Sequence, residues 1–122
     1  MNQYSHLAGR ILIALIFIIA GAGKLADPAG TAGYMESAGI PALLLWPTIA
    51  LELLGGIAIV LGFQTRIISY FLALFCVTTA VLFHMDFSNQ MQQILFLKNL
   101  AIAGGFLLLA SSGATALSID KR

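Results

Sequence analysis

The sequence predicts an all-α membrane protein, a bundle of four transmembrane helices with a short amphipathic helix between the first and second spans. Three observations lead to this fold class. Of the 122 residues, 60% are hydrophobic and only 9% are charged, which is far outside the balance of a soluble domain. Four stretches are apolar over roughly 20 residues, the length that a membrane-spanning helix needs. The connection at residues 26–40 carries helix start and stop signals of its own.

The four apolar windows are residues 7–25, 41–63, 67–85 and 94–112. Apart from the first connection the loops are short, and no low-complexity stretch separates a second domain. The chain therefore reads as one membrane domain over residues 1–122. The first window resembles a signal peptide, since Arg10 precedes an apolar run and Ala20-Gly21-Ala22 resembles a cleavage site. We expect it to be retained as a span, because an even number of helices pairs into a hairpin bundle.

The first connection carries the start and stop signals of a short helix. Asp27 is placed to cap it, Pro28 suits the first helical position, and Gly39 followed by Pro41 stops it. We expect this helix to lie on the membrane surface. It would act either as a lid over whatever lies beneath it or as a simple spacer.

The positive-inside rule gives an orientation. With an even number of spans both termini share one side of the membrane. That side carries Arg10, Arg66, Lys121 and Arg122, whereas the other carries Lys24 and Lys98. The rule then places both termini in the cytoplasm.

Several function classes are excluded by composition. The net charge of +1 provides no basic field for nucleic acid. The single cysteine, Cys76, excludes a thiol pair. His6 and His84 fall near opposite membrane faces, which argues against paired haem ligation, and no cluster has metal-ligand spacing. With no nucleophile and base together either, we do not expect an enzyme with its own chemistry.

Two charged residues inside apolar windows are the most informative feature of the chain. Glu52 lies in the middle of the second span, and Lys98 lies about one turn inside the fourth. A charged residue at a helix centre costs roughly 2.5–3.5 kcal/mol on insertion scales, so such residues indicate a functional site. At the rise of an α-helix, Glu52 would lie roughly 13 Å and Lys98 roughly 6 Å below the outer surface. The lysine could then reach down to the carboxylate and stabilise its ionised form. The alternatives for Glu52 are a purely structural ion pair or a protonated, hydrogen-bonded carboxyl.

The first, third and fourth spans also place polar residues in the outer half of the membrane. Lys24 ends the first span and His84 ends the third, while Asn99 follows Lys98. The sequence therefore predicts a ligand-binding pocket formed by Glu52, Lys98, His84, Lys24 and Asn99. Lys24 and Lys98 could instead snorkel to the interface, and His84 could sit among lipid headgroups.

Two arginines mark the opposite end of the bundle. Arg10 lies about one turn inside the first span, and Arg66 follows the turn between the second and third spans. Both are well placed to hold lipid phosphates. Anchoring to the bilayer is the role we predict for them.

In order and spacing, these residues resemble the DoxX family, part of the wider DoxX/DoxD-like group of small four-helix membrane proteins. The resemblance extends over essentially the whole chain, and its last part is similar to enterobacterial inner-membrane members. It rests on Arg10, the run Phe17-Ile18-Ile19-Ala20-Gly21-Ala22-Gly23-Lys24-Leu25, Glu52 with Gly55 and Gly56, Leu61-Gly62-Phe63-Gln64-Thr65-Arg66, His84, Lys98-Asn99, and Gly104-Gly105-Phe106-Leu107-Leu108-Leu109. The resemblance implies a multi-pass protein of the bacterial inner membrane, an accessory subunit linked to quinone-coupled or oxidative-stress chemistry.

Two functional hypotheses follow. In the first, the outer pocket binds a small quinone-like or anionic ligand, or docks a redox-protein partner, without catalysis by this chain. In the second, Glu52 exchanges a proton for a cation, as in a small proton-coupled transporter. A lysine beside Glu52 disfavours the second, because it repels a cationic substrate. A quinone is the cofactor that the resemblance suggests, and self-association of the chain is left open.

Overall fold

The computed structural model describes residues 3–83, 88–113 and 117–120. Its α-helices are α1 (Gln3–Ala26), α2 (Pro28–Ser37), α3 (Leu45–Leu61), α4 (Thr65–Phe83) and α5 (Gln90–Ser112), and a short 3-10 turn, Ala42–Leu44, leads into α3. The described residues contain no strand. Four helical segments are long and apolar enough to cross a membrane: Gln3–Ala26, Ala42–Leu61, Thr65–Phe83 and Gln90–Ser112. The predicted fold class is therefore confirmed.

The helix ends differ from the predicted windows by a few residues. Both α1 and α5 begin four residues before their windows, because polar residues can extend a helix beyond its apolar stretch. The start of α5 is fixed by Asn89, whose side chain accepts a hydrogen bond of 2.9 Å from the backbone N–H of Met91. This is an N-cap, which satisfies a donor that the first turn leaves free. The predicted end of the third span, Met85, lies outside the described residues.

The helix α2 forms as its signals predicted. Asp27 caps it by accepting a hydrogen bond of 3.1 Å from the backbone N–H of Gly30, and Pro28 occupies the first turn. The chain leaves the helix at Gly39, where φ is +80°, a conformation that favours glycine. One side of α2 is anchored by Met35, which is buried in a cluster with Leu45 and Ile49. The helix thus packs across one end of the bundle, here called the α2 end.

The bundle is built from two helix pairs. Helix α1 packs along α3 and α4 along α5, and the pairs meet mainly where α3 touches α4. Glycines allow α1 and α3 to approach each other closely. A Cβ atom added at Gly21 would lie 2.7 Å from Cγ of Leu53, and one at Gly56 would lie 2.7 Å from Cγ1 of Ile18. In lipid, such small residues let helices gain van der Waals contact.

Aromatic side chains fill the middle of the bundle. The ring of Phe17 lies 5.4 Å from that of Phe106, edge to face, and 6.3 Å from that of Phe75. Offset and edge-to-face arrangements are those that aromatic pairs prefer. This layer joins α1, α4 and α5 and belongs to the main apolar core.

The opposite end of the bundle, here called the terminus end, is closed by residues 117–120. The backbone N–H groups of Ile119 and Asp120 each donate a 2.9 Å hydrogen bond, to the carbonyls of Leu61 and Gly62 respectively. The carboxylate of Asp120 accepts hydrogen bonds of 2.9 and 2.8 Å from the backbone N–H groups of Gln64 and Thr65. A residue from the end of the chain therefore caps the start of α4.

Candidate functional site

A cavity of about 560 Å³ lies between the helix pairs at the α2 end. Its wall takes residues from every long helix and from α2, and most of them are apolar. The polar and reactive side chains in the wall are Lys24, Thr31, Tyr34, Thr48, Glu52, Cys76, Thr78, Thr79 and Asn99. A largely apolar cavity with a few converging polar groups is the usual form of a small-molecule site.

An ion pair between α1 and α3 forms the charged part of the wall. The Nζ of Lys24 lies 2.8 Å from Oε1 of Glu52, and their side chains are 26% and 6% exposed. The pairing follows from the close α1–α3 packing: Gly21 sits against Leu53, and Lys24, three residues after Gly21, projects on the same side of α1. In a low-dielectric interior, a neighbouring cation compensates the charge of a carboxylate.

The predicted pair of Glu52 with Lys98 is wrong. Lys98 is exposed and is absent from the cavity wall, whereas the next residue, Asn99, lines it. Successive residues on a helix point about 100° apart, so the rotation that packs α5 on α4 turns only one of the two inward. The position of a residue along its helix can be read from the sequence, but this rotation cannot.

A second polar group of the wall links α4 and α5. The amide nitrogen of Asn99 donates a 3.2 Å hydrogen bond to Oγ1 of Thr79, and the Thr79 hydroxyl donates to the carbonyl of Cys76 at 3.1 Å. Sequence reasoning did not single out Thr79 as a site residue. The signal that could have found it is the adjacent pair Thr78-Thr79 in the middle of an apolar span.

The α2 helix closes one side of the cavity through an aromatic contact. The ring of Tyr34 stacks on that of Phe83 at a centroid distance of 5.3 Å and an interplanar angle of 16°. Both residues line the cavity. His84, the remaining predicted site residue, lies outside the described residues. Within the part of the chain that is described, no group of three or more His, Cys, Asp or Glu side chains could hold a metal ion.

The two arginines predicted to hold lipid phosphates differ in their surroundings. Arg10 is only 1% exposed, and its guanidinium donates hydrogen bonds to the carbonyls of Leu117 at 2.5 Å and Ile59 at 3.5 Å. Its two terminal nitrogens thus hold Leu117 against the bundle. A contact of Arg10 with lipid phosphate stays a prediction. Arg66 is exposed and donates to the carbonyls of Ala110 and Ser111 at 3.3 and 3.2 Å.

Comparison with known proteins gives consistent matches. The DoxX family model matches residues 5–85. The chain is 49% identical to the inner membrane protein YqjF of Escherichia coli K12 over 121 residues, covering 99% of this chain and 93% of that protein. It is 42% identical to the inner membrane protein YphA of the same organism over 123 residues, covering 95% and 88% of the two chains. No solved structure gives a significant match.

The family model covers the first three spans, and the two relatives extend the similarity through the fourth span over nearly their whole length. The four apolar helices described above agree with the membrane location of both relatives. This chain is an inner membrane protein that belongs to the DoxX family.

Proposed function

We propose that this protein is a non-catalytic or accessory membrane subunit that binds a small, quinone-like molecule in the cavity at the α2 end. The observation that carries the proposal is the Lys24–Glu52 ion pair in the wall of an otherwise apolar cavity. A ligand that fits such a site has an apolar body and a polar end that can hydrogen-bond.

The charge balance favours a carbonyl over a free anion. Because Lys24 is already paired with Glu52, the two charges compensate each other. A lysine ammonium has three N–H donors and a carboxylate can satisfy only part of them, so donors are left for a carbonyl oxygen. Asn99 supplies a further amide on the α5 side of the cavity.

The size of the cavity supports the same class of ligand. About 560 Å³ falls within the roughly 300–1,000 Å³ typical of small-molecule pockets. Threonine hydroxyls from α3 and α4 also reach the wall, but those of Thr48 and Thr78 donate to carbonyls of their own helices at 2.8 Å. Among the wall residues of the four long helices, Lys24, Glu52 and Asn99 are therefore the main polar groups offered to a ligand.

The transporter alternative uses the same carboxylate. A proton-coupled exporter needs its acid free to bind a cationic substrate, but Lys24 occupies the position beside Glu52. Exchange would have to displace an ammonium that already compensates the carboxylate. The ion pair therefore favours a binding role.

The test uses purified protein in detergent micelles with decylubiquinone as the probe. The chain has a single tryptophan, Trp46, in the first turn of α3 next to the wall residue Pro47, so quinone binding should quench its fluorescence saturably and raise the unfolding temperature. The variant is Lys24→Met/Glu52→Gln, which removes both charges together. Lys98→Met is the matched control, because this lysine is exposed and outside the cavity wall.

We expect wild type and Lys98→Met to show equal stabilisation and the double variant to show none. Equal stabilisation of the double variant and wild type would overturn the proposal. Proton release on addition of tetraphenylphosphonium, lost in Glu52→Gln, would replace it with the transporter alternative.

A further inference from the structure

A second cavity lies at the terminus end, between α1 and α5, and the proposed quinone site does not use it. Its volume is about 550 Å³, and its wall combines an apolar part with a polar part. The apolar part includes Ile13, Leu108 and Leu109, and the polar part includes His6, Arg10 and Ser112. We propose that this groove binds an anionic phospholipid of the adjacent leaflet, with the acyl chain along the apolar wall and the phosphate at the polar end.

One buried donor at the polar end lacks a partner. The Nε of Arg10 is buried, with no hydrogen-bond partner among the described residues. Arg10 itself is 1% exposed and is fixed by its terminal nitrogens, which bond to backbone carbonyls. Leaving a buried donor without a partner is costly, so an acceptor bound there would be favoured. Phosphate oxygens are acceptors that form strong, charge-assisted bonds with arginine.

The charge at this end matches an anion. Arg66 joins the cluster, because it donates to the carbonyl of Ser111, which lines the groove. Among the described residues of the terminus end, the one acid is Asp120, and its two carboxylate oxygens accept from the start of α4. Basic residues near a membrane surface attract anionic lipid headgroups.

The shape of the groove distinguishes a lipid from a free anion. Gly9 lines it, and no atom lies within 4 Å of the position that its Cβ would take. Leu108, on the opposite wall, is 75% exposed on a membrane-spanning helix. The cavity is therefore continuous with the apolar outer face of the bundle, where a hydrocarbon chain rather than an inorganic ion would lie.

The experiment compares lipids that differ only in headgroup. Protein in maltoside micelles is titrated with dioleoylphosphatidylglycerol, dioleoylphosphatidylcholine or inorganic phosphate, and binding is read by native mass spectrometry and by unfolding temperature. Gly9→Leu fills the groove from α1 without a clash, and Ala8→Leu is the matched control on the exposed neighbouring position. Arg66→Gln removes one cation without touching Arg10.

We expect the phosphatidylglycerol to bind wild type and Ala8→Leu about tenfold more tightly than the phosphatidylcholine, a difference of about 1.4 kcal/mol. Gly9→Leu should lose binding of the anionic lipid, and Arg66→Gln should weaken the preference for it. Equal binding of both lipids to wild type, equal binding to Gly9→Leu and Ala8→Leu, or equal stabilisation by phosphate alone would each overturn the proposal.

Discussion

The ammonium nitrogen of Lys24 lies 2.8 Å from a carboxylate oxygen of Glu52, so the acid in the middle of α3 is neutralised from α1 and not from α5. The pair joins two helices that are already in close contact through Gly21 and Gly56. It therefore stabilises the α1–α3 interface and, at the same time, supplies the charged wall of the cavity.

Removing one partner of this pair should destabilise the protein more than removing both. Lys24→Met leaves Glu52 uncompensated and should cost about 3 kcal/mol, near the lower end for a buried pair because Lys24 is partly exposed. The double variant Lys24→Met/Glu52→Leu should recover most of this loss. A double-mutant cycle of thermal unfolding in micelles measures the coupling, and additive effects of the two substitutions would contradict the ion pair.

The α1–α3 contact should not tolerate a large side chain at Gly56. A Cβ there would lie 2.7 Å from Ile18 and 3.3 Å from the backbone oxygen of Ala14, and backbone cannot move aside easily. We expect Gly56→Leu to cost about 1–3 kcal/mol through overpacking. Gly104→Leu is the control, because no atom lies within 4 Å of its Cβ position. Similar unfolding temperatures for the two variants would argue against this helix contact.

Because Asp120 caps the start of α4, we predict that substituting Asp120 destabilises the protein. Asp120→Ala removes the acceptor for the backbone N–H groups of Gln64 and Thr65 and should cost about 0.5–2 kcal/mol. Asp120→Asn should cost less, since asparagine is also a good N-cap. Thermal unfolding of the three proteins measures the order, and an alanine variant as stable as wild type would show that the cap contributes nothing.

The buried guanidinium of Arg10 should hold residues 117–120 in place. Arg10→Lys keeps the charge but cannot reach the carbonyls of both Ile59 and Leu117, which Arg10 contacts with two different nitrogens. Hydrogen exchange of the backbone amides of Ile119 and Asp120, which donate to α3 and the following turn, should become faster. Arg66→Lys should leave that exchange unchanged, because Arg66 bonds to the end of α5 instead.

If α2 acts as a lid over the proposed quinone site, its aromatic contact should control how quickly ligand leaves. Tyr34→Ala removes the stack on Phe83 and should speed the release of decylubiquinone several-fold with little change in the unfolding temperature. Glu36→Ala is the control on the same helix, since Glu36 is exposed and outside the cavity wall. Stopped-flow recovery of Trp46 fluorescence gives the rate, and equal rates in both variants would indicate that α2 is a spacer.

The sequence by itself determined the four spans, the caps of α2 and the location of charged residues inside apolar helices. These properties depend on the composition of about 20 neighbouring residues or on a few positions around a helix end, so they can be read locally. The side on which the termini lie rests on charge counts alone and stays a prediction.

Only the tertiary structure decided which charges meet. The choice of Lys24 over Lys98 as the partner of Glu52 depends on which helices pair and how each is rotated about its axis. A single residue step turns a side chain by about 100°. The apolar residues of α5 are spread almost evenly around its axis, so hydropathy does not fix the rotation of that helix. The burial of Arg10 under residues 117–120 likewise joins parts of the chain more than a hundred residues apart, which no local pattern encodes.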